Sequence, residues 1–198
     1  MKIITSSLDA VAEAVAIMKA GGVVVMPTET AYGLACDFFQ KVAYQKIYAI
    51  KGRDWSKLLS AITFSIEKLD GIVEWSNYSL ALAKKYWPGP LTLILPLTKK
   101  AKTKLSYHQA NTLAVRQSSH PVAAALAEHF SLISATSANL SGSGELYQIA
   151  GIKQQFNQTQ IQPNIIIDVG NLPVVAPSTI VDCTGTKPVV VRQGSVVL

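Results

Sequence analysis

The sequence predicts an α/β protein built as a single domain, with a twisted mixed sheet and flanking helices. Short β-rich runs alternate with stretches of helical periodicity along most of the 198 residues. Some predicted strands follow one another with no helix between them, which indicates antiparallel as well as parallel pairing. The hydrophobic fraction of 49% is sufficient for a buried core and argues against a disordered chain. Because no linker or repeat interrupts the pattern, we expect one domain over residues 1–198.

The helices are predicted from apolar spacing and from capping residues. The first begins at Ser6 or Ser7, and Gly21-Gly22 ends it in a left-handed cap. Its apolar positions are Leu8, Val11, Val15 and Met18. The other predicted helices cover residues 41–50, 78–86, 121–130 and 145–156. Pro121 fits the first turn of its helix, where a missing N–H costs nothing.

The strands are predicted from short runs of β-branched and apolar residues. These runs cover residues 23–26, 58–63, 91–97, 112–116, 132–135, 165–169, 179–183 and 189–192. The segment from Thr28 to Gly33 is predicted as a polar turn between the first strand and the second helix.

The charge of the chain is positive, with a net value of +6. This suits anionic partners such as a nucleotide or RNA, although a basic surface without such a partner gives the same value. Only three of the 18 basic residues are arginines, and each lies beside a turn: Arg53, Arg116 and Arg192. Because a guanidinium binds carboxylate and phosphate groups in a bidentate manner, these three positions favour recognition.

The chain lacks the features of several other protein classes. No apolar run approaches the ~18 residues of a membrane helix, so we expect no membrane association. Asp9 and Glu13 interrupt what would be the apolar part of an export signal. Cys36 and Cys183 are far apart and lack zinc-site spacing, which favours reduced thiols and a cytoplasmic location.

Motifs of several common enzyme classes are also absent from the sequence. There is no Walker P-loop, no H-E-x-x-H around any of the three histidines and no G-x-S-x-G. We therefore predict no metal site formed by protein residues and no covalent nucleophile.

What remains is a series of turns rich in hydroxyl groups and cations, most of them at strand ends. In α/β sheets ligands bind at the carboxyl ends of strands, which makes these turns candidate sites. Each turn also has a structural interpretation as a plain turn, a helix cap or a solvated loop. The candidate residues are Thr28, Thr30, Tyr32, Lys51, Arg53, Lys57, Arg116, Ser137, Asn139, Ser141, Ser178 and Arg192. For the turn at 87–92 we favour a mainly structural role, with Thr92 facing the cleft as the alternative, and for His120 a half-buried position.

Together these segments resemble the YrdC/TsaC family of threonylcarbamoyl-AMP synthases, in its short single-domain form. The resemblance covers about residues 5–196. It is carried by PTETAYGL (27–34), KGR (51–53), WPGPLT (87–92), AVRQSSHP (114–121), SANLSG (137–142), STIVD (178–182) and VVVRQG (190–194). All three arginines lie within these motifs. Asp54-Trp55-Ser56 departs from the Pro that often follows KGR in the family, which leaves the role of Lys57 open.

The resemblance implies an α/β fold with a large positively charged cleft. It implies that L-threonine, bicarbonate and ATP are converted to threonylcarbamoyl-AMP and pyrophosphate, with Mg²⁺ held mainly by phosphates. Partner proteins would then use the product to modify tRNA beside the anticodon. Threonine would lie near Thr28, Thr30, Tyr32, Arg116 and Ser178. The nucleotide would lie near Lys51, Arg53, Lys57, Ser137, Asn139, Ser141 and Arg192, with Lys51 and Arg53 acting in catalysis.

Three other interpretations remain. The basic segment from Lys99 to Lys104 is compatible with an RNA-binding module without chemistry, or with a solvated loop between strands. A carbamoyl-adenylate enzyme of hydrogenase maturation would be longer and contain zinc-finger cysteines. A purely structural role would leave the placement of the arginines in the motifs unexplained.

Overall fold

The computed structural model describes residues 1–198 and confirms the predicted mixed α/β class. The strands are β1 (Lys2–Thr5), β2 (Val24–Pro27), β3 (Tyr32–Ala35), β4 (Ala61–Thr63), β5 (Leu91–Pro96), β6 (Thr112–Gln117), β7 (Ile133–Ser134), β8 (Thr136–Ser137), β9 (Ile165–Asp168), β10 (Thr179–Asp182) and β11 (Val189–Arg192). The α-helices are α1 (Leu8–Lys19), α2 (Lys41–Lys51), α3 (Asn77–Tyr86), α4 (Lys99–Lys104), α5 (Pro121–Glu128) and α6 (Ile149–Phe156).

The strands are divided between two mixed sheets. The first has the order β1-β9-β2-β3-β8, and the second has the order β11-β10-β5-β6-β4-β7. In the first sheet β2 pairs parallel with β9 and antiparallel with β3. In the second sheet β5 pairs parallel with β10 and antiparallel with β6. Amino and carboxyl ends of neighbouring strands therefore lie side by side at the same sheet edges.

Strand β2 is buried on both faces, which explains its uninterrupted apolar sequence. Val24 and Met26 pack in a cluster with α1 and α5, while Val25 faces the larger cluster that contains residues of α2. This alternation follows the two-residue period of a strand. It places β2, and the polar turn that follows it, between two layers of packed side chains.

Helix α1 begins and ends as predicted. The hydroxyl of Ser7 accepts a hydrogen bond from the backbone N–H of Ala10, and Gly21 adopts a φ of 82° after the last turn. Leu8, the first of the apolar positions, lies in the helix but its side chain is exposed. Ala10, Ala14, Val15 and Met18 form the buried face instead.

Several elements differ from the prediction because tertiary hydrogen bonds override local preference. Strand β3 occupies part of the predicted turn, since Gly33 lets β8 approach; an added Cβ would lie 3.3 Å from the Thr136 carbonyl. Helix α6 begins four residues later than predicted. The carbonyls of Leu146 and Tyr147, just before it, accept from the N–H groups of Tyr32 and Leu172. The lysine-rich segment forms the short helix α4 rather than a loop.

No helix combines the length and apolarity required to cross a bilayer. Cys36 and Cys183 are free and buried, and no group of three or more His, Cys, Asp or Glu residues could hold a metal ion.

Candidate functional site

A cavity of about 420 Å³ lies where strand ends of both sheets meet. This volume is typical of sites for small molecules, which span ~300–1,000 Å³. The structure brings all three arginines of the chain to this one cavity. The sequence-predicted residues that line it are Thr28, Thr30, Tyr32, Arg53, Arg116, Ser137, Ser178 and Arg192. Those outside its lining are Lys51, Lys57, Asn139 and Ser141.

The cavity does not follow the simple rule that ligands lie at carboxyl ends of strands. Arg116 lies near the carboxyl end of β6, and Thr28 follows the carboxyl end of β2. Tyr32 and Thr92, in contrast, lie at the amino ends of β3 and β5. Because some neighbouring strands are antiparallel, amino and carboxyl ends of strands lie at the same sheet edge. The sequence predicted mixed pairing but not which strand ends meet at the cavity.

Arg116 is held by a carboxylate that the sequence analysis did not select. Its Nε donates to Glu29 Oε1 over 2.8 Å, and the Ser118 hydroxyl donates to the other carboxylate oxygen of Glu29. Burial disfavours the charged form of Glu29, but Arg116 and Ser118 outweigh this effect and lower the pKa of Glu29 below its usual value. A signal was available, because Glu29 lies between Thr28 and Thr30 in a selected turn and a buried arginine needs an anionic partner.

The turn after β2 is closed by the Thr28 hydroxyl. It donates to the Ala31 carbonyl over 2.7 Å and accepts from the backbone N–H groups of Thr30 and Ala31. The Thr30 hydroxyl lies 3.5 Å from Arg116 Nη2. Thr28 therefore shapes the turn, and Thr30 is the hydroxyl of the pair nearest to the guanidinium.

Tyr32 lines the cavity, but its hydroxyl is committed to the backbone. It donates to the Gly170 carbonyl over 2.7 Å and accepts from the N–H of Val169. Burial raises the pKa of Tyr32, so the phenol stays protonated. The residue joins β3 to the segment after β9 and presents its ring rather than a free hydroxyl.

Arg192 is bound to Ser178 at the start of β10. Its Nε and Nη2 donate to the Ser178 carbonyl over 3.1 and 2.8 Å, and Nη2 also reaches the Ser178 hydroxyl. The Thr92 hydroxyl lies 2.9 Å from the same Ser178 hydroxyl, which places Thr92 in the cavity lining. Ser178 and Arg192, which the family resemblance assigns to threonine and to the nucleotide respectively, thus lie in direct contact.

Lys51 lies beneath the cavity wall, where it holds the loop after β8. Its Nζ donates to the carbonyls of Ser137 and Asn139 and to Asn139 Oδ1. Burial, and then the charge of Arg53, lower the pKa of Lys51 to about 7. Asn139 is held in turn by the Ser137 hydroxyl and by the carbonyl of Ser143. Lys51 and Asn139 therefore fix the position of Ser137, which lines the cavity.

Arg53 is oriented by backbone carbonyls of the loop that departs from the family pattern. Its Nε donates to the Lys57 carbonyl over 2.9 Å, and its Nη2 donates to the Leu58 carbonyl over 3.1 Å. The side chain of Lys57 is exposed outside the cavity. Trp55 stacks on Tyr48 with ring centroids 4.1 Å apart, and the Tyr48 hydroxyl also donates to the Lys57 carbonyl. Tyr48 and Trp55 thus support a loop that lacks the proline.

The turn at 87–92 makes the structural hydrogen bonds expected of a rigid turn, and Thr92 at its end also lines the cavity. The Trp87 ring N–H donates to the Leu91 carbonyl over 2.6 Å, and the N–H of Gly89 donates to the Gln117 carbonyl over 2.8 Å. The second bond ties the turn to the residue after Arg116.

His120 is half-buried, as predicted, and its Nδ1 accepts from the N–H of Val122 as the cap of α5.

Two further titratable residues line the cavity and were not selected from the sequence. His108 has both ring nitrogens occupied, by the Tyr44 hydroxyl at 2.8 Å and the Thr112 carbonyl at 3.0 Å, and burial lowers its pKa. A neutral His108 with its proton on Nε2 satisfies both contacts. Glu145 is the one acidic residue of the lining, at a position that the sequence assigned to a helix.

These contacts define an α/β protein with one arginine-lined cavity, in which each guanidinium is oriented by the chain and keeps free N–H groups. The comparisons with known proteins agree with this class. A family model for the Sua5/YciO/YrdC domain, described as "Telomere recombination", matches residues 16–194. The chain therefore belongs to the Sua5/YciO/YrdC family.

Three similar proteins give the scale of this relationship. Threonylcarbamoyl-AMP synthase of Bacillus subtilis is 33% identical over 94% of this chain and 54% of the relative. The enzyme of the same name from Psychromonas ingrahamii is 35% identical over 84% of this chain and 87% of the relative. The structure of Pyrococcus abyssi Sua5 complexed with L-threonine aligns with a TM-score of 0.86 and 31% identity, over 98% of this chain and 57% of that one. The chain thus spans about half the length of the first and third.

Proposed function

We propose that this chain is an L-threonylcarbamoyladenylate synthase, a nucleotidyltransferase that uses L-threonine, bicarbonate and ATP, and that residues 1–198 act as one domain. The observation that carries the proposal is the convergence of Arg53, Arg116 and Arg192 on one cavity. Three guanidiniums suit a triphosphate beside a carboxylate. The threonine complex of a family member that aligns over 98% of this chain supports the choice of amino acid.

The threonine region of the proposal is centred on Arg116. Its Nε is occupied by Glu29, but Nη1 has no protein acceptor and Nη2 has only the long contact to Thr30. The Nη1–Nη2 edge is thus available for a bidentate bond to the threonine carboxylate. Thr28, Tyr32 and Ser178 complete this region, with Thr28 and Tyr32 acting mainly through the shape of the wall.

The nucleotide region of the proposal contains Arg53, Arg192 and Ser137. In Arg53 and Arg192 the Nη1 group has no protein acceptor, so each can bind a phosphate while the chain holds the other side. Lys51, Asn139 and Ser141 would act on the nucleotide through the loop after β8; the N–H of Ser141 donates to the Lys51 carbonyl over 2.9 Å. Lys57 would contribute its carbonyl to Arg53 instead of a direct phosphate contact.

In the proposed reaction the protein positions the reactants and stabilises the phosphate charge. The threonine amine and bicarbonate give N-carboxy-threonine and water. The new carboxylate attacks the α-phosphate of ATP, the bond to the β-phosphate oxygen breaks, and pyrophosphate leaves. Such a transfer needs aligned reactants and stabilised phosphate charge, not a covalent intermediate.

In this site a Mg²⁺ ion would bind mainly through the phosphates of the substrate. Glu145 is the single carboxylate of the lining, and no cluster of potential protein ligands is present. Mg²⁺ typically keeps several waters and binds through one or two carboxylates and substrate phosphates. When bound it would neutralise phosphate charge.

The partners and the location follow from the same proposal. The adenylate product would pass to proteins that modify tRNA, and the two free, buried cysteines accord with a reducing cytoplasm. Direct RNA contact through the lysines of α4 is a separate possibility for the same chain.

The test is pyrophosphate release measured with all substrates and with each one omitted. We expect release only when L-threonine, bicarbonate and ATP are present together. L-Serine and L-alanine in place of threonine serve as specificity controls. Release that does not depend on threonine would contradict the proposal, and salt-sensitive RNA binding without any release would favour the RNA-binding interpretation.

A further inference from the structure

Glu29, which forms an ion pair with Arg116, has no assigned role in the proposed function. Arg116 Nε lies 2.8 Å from Glu29 Oε1, and the two side chains are only 8% and 12% exposed. The chain has one other ion pair, between Lys2 and Glu13, at the same distance of 2.8 Å but with side chains that are 58% and 39% exposed. Exposed pairs contribute little, whereas a buried carboxylate must be matched in geometry and charge. The buried ion pair between Glu29 and Arg116, which lies beside the cavity, therefore requires a functional explanation.

Glu29 is itself fixed from two sides. The Ser118 hydroxyl donates to Glu29 Oε2, and the same hydroxyl accepts from the N–H of His120 over 3.2 Å. His120 caps α5. The carboxylate is thus connected to a helix terminus as well as to Arg116, which makes it a rigid acceptor.

The position of Glu29 determines which donors of Arg116 remain free. A guanidinium has five N–H donors in one plane, and an acceptor on Nε fixes the orientation of that plane. With Glu29 on Nε, the Nη1–Nη2 edge faces away from the carboxylate. Without Glu29 the side chain would gain rotational freedom and would leave its buried charge unpaired.

We propose that Glu29 is a positioning residue that orients the Nη1–Nη2 edge of Arg116 toward the carboxylate of the amino-acid substrate, with Ser118 as its support. This inference rests on the proposed function, since it assigns the carboxylate to L-threonine. Glu29 does not touch the substrate. It acts through Arg116, and its effect belongs to amino-acid binding rather than to the phosphate chemistry.

An alternative role for Glu29 predicts the opposite result. If Glu29 served only to balance charge, its removal would leave Arg116 with uncompensated positive charge, and a carboxylate substrate would bind more tightly. Orientation and charge balance are therefore separated by the direction in which threonine affinity changes.

The first experiment compares Glu29→Ala and Glu29→Gln with the wild type. Alanine removes the acceptor of Arg116 Nε, so we expect the KM for L-threonine to rise about tenfold, while the KM for ATP and kcat change less than about twofold. Glu29→Gln removes the charge but keeps an acceptor oxygen, so its KM for threonine should rise less than that of Glu29→Ala. Ser118→Ala should shift the KM for threonine in the same direction by a smaller factor. Glu13→Gln is the matched control, because it removes the exposed ion pair, and it should leave both KM values unchanged.

The second experiment places Glu29→Ala in an Arg116→Ala background. If Glu29 acts through Arg116, the double variant has the same KM for threonine as Arg116→Ala alone. Thermal unfolding of each variant shows whether the fold is retained.

The outcomes separate this inference from the function on which it rests. A wild type without threonine-dependent pyrophosphate release would overturn both. An active wild type with an unchanged or lower KM for threonine in Glu29→Ala would overturn only the positioning role. An additional loss in the Arg116→Ala background would also overturn it, because Glu29 would then act on the site by another route.

Discussion

Among the individual residues, Lys51 shows two opposing physical effects. Burial and the nearby charge of Arg53 disfavour its ammonium form and lower its pKa to about 7. The three oxygens around Nζ match the three donors of an ammonium, whereas a neutral amine has only two. The sequence identified Lys51 through its KGR motif. It could not show that Lys51 lies outside the cavity lining, because its Nζ binds a loop almost ninety residues further along the chain.

The effect of Lys51 on stability has a definite sign. Its folded pKa lies below the ordinary lysine value of ~10.4, so the unfolded chain binds more protons between these values. By linkage, the contribution of Lys51 to the free energy of unfolding rises with pH across this window, by at most about 1.4 kcal/mol per pH unit.

Chemical denaturation of the wild type and of Lys51→Gln at pH ~7.5 and ~9 measures this contribution. We expect the stability difference between the two proteins to shift in favour of the wild type at the higher pH. Equal differences at both values would mean that the three acceptor oxygens retain the proton on Lys51 and offset the effect of burial.

Among the elements, the hairpin formed by β10 and β11 is the part that most directly positions an arginine. Arg192 ends β11 and binds Ser178, the residue before β10. The chain returns closely after β11, so that a Cβ on Gly194 would lie 2.1 Å from the Pro177 carbonyl oxygen and 2.6 Å from the N of Thr179. These are backbone atoms that cannot move without displacing the start of β10.

Gly194→Ala should therefore destabilise the fold and weaken the site together. We expect a loss of about 1–3 kcal/mol, the usual scale of overpacking, and a higher KM for ATP because Arg192 is displaced. Gly185→Ala is the matched control in the same hairpin, since its Cβ would meet only the Lys187 carbonyl at 3.9 Å. Thermal unfolding and KM measurements on both variants test this, and equal behaviour of the two would contradict it.

The elements also show where sequence patterns stop being informative. Helices α2, α3 and α5 were predicted within a few residues because periodicity and caps are local signals. β3 was missed because it is short and contains Gly33, and α6 was predicted too long because the carbonyls of Leu146 and Tyr147 bond to distant strands and loops. The missing information in both cases is tertiary.

For the whole molecule, the decisive feature is that two mixed sheets bring their strand ends to one cavity. The sequence could supply the motifs that line this cavity, because each carries its own turn and cation. It could not show which residue pairs with which arginine, although Glu29 and Ser178 both lie in the selected motifs. Glu29 for Arg116 and Ser178 for Arg192 are each many residues away from the arginine that they hold. The residue types that line the cavity were thus predictable from the sequence. The roles that depend on which side chain pairs with which arginine were not.

In the proposed function, this one cavity holds threonine at Arg116 and the phosphates of ATP at Arg53. The most direct measurement is the KM for each substrate in Arg116→Ala and in Arg53→Ala. A lost charge-assisted hydrogen bond of ~1.5–3 kcal/mol corresponds to roughly a 10- to 150-fold change. We expect Arg116→Ala to raise mainly the KM for threonine and Arg53→Ala to raise mainly the KM for ATP. Equal changes of both KM values in both variants would contradict it.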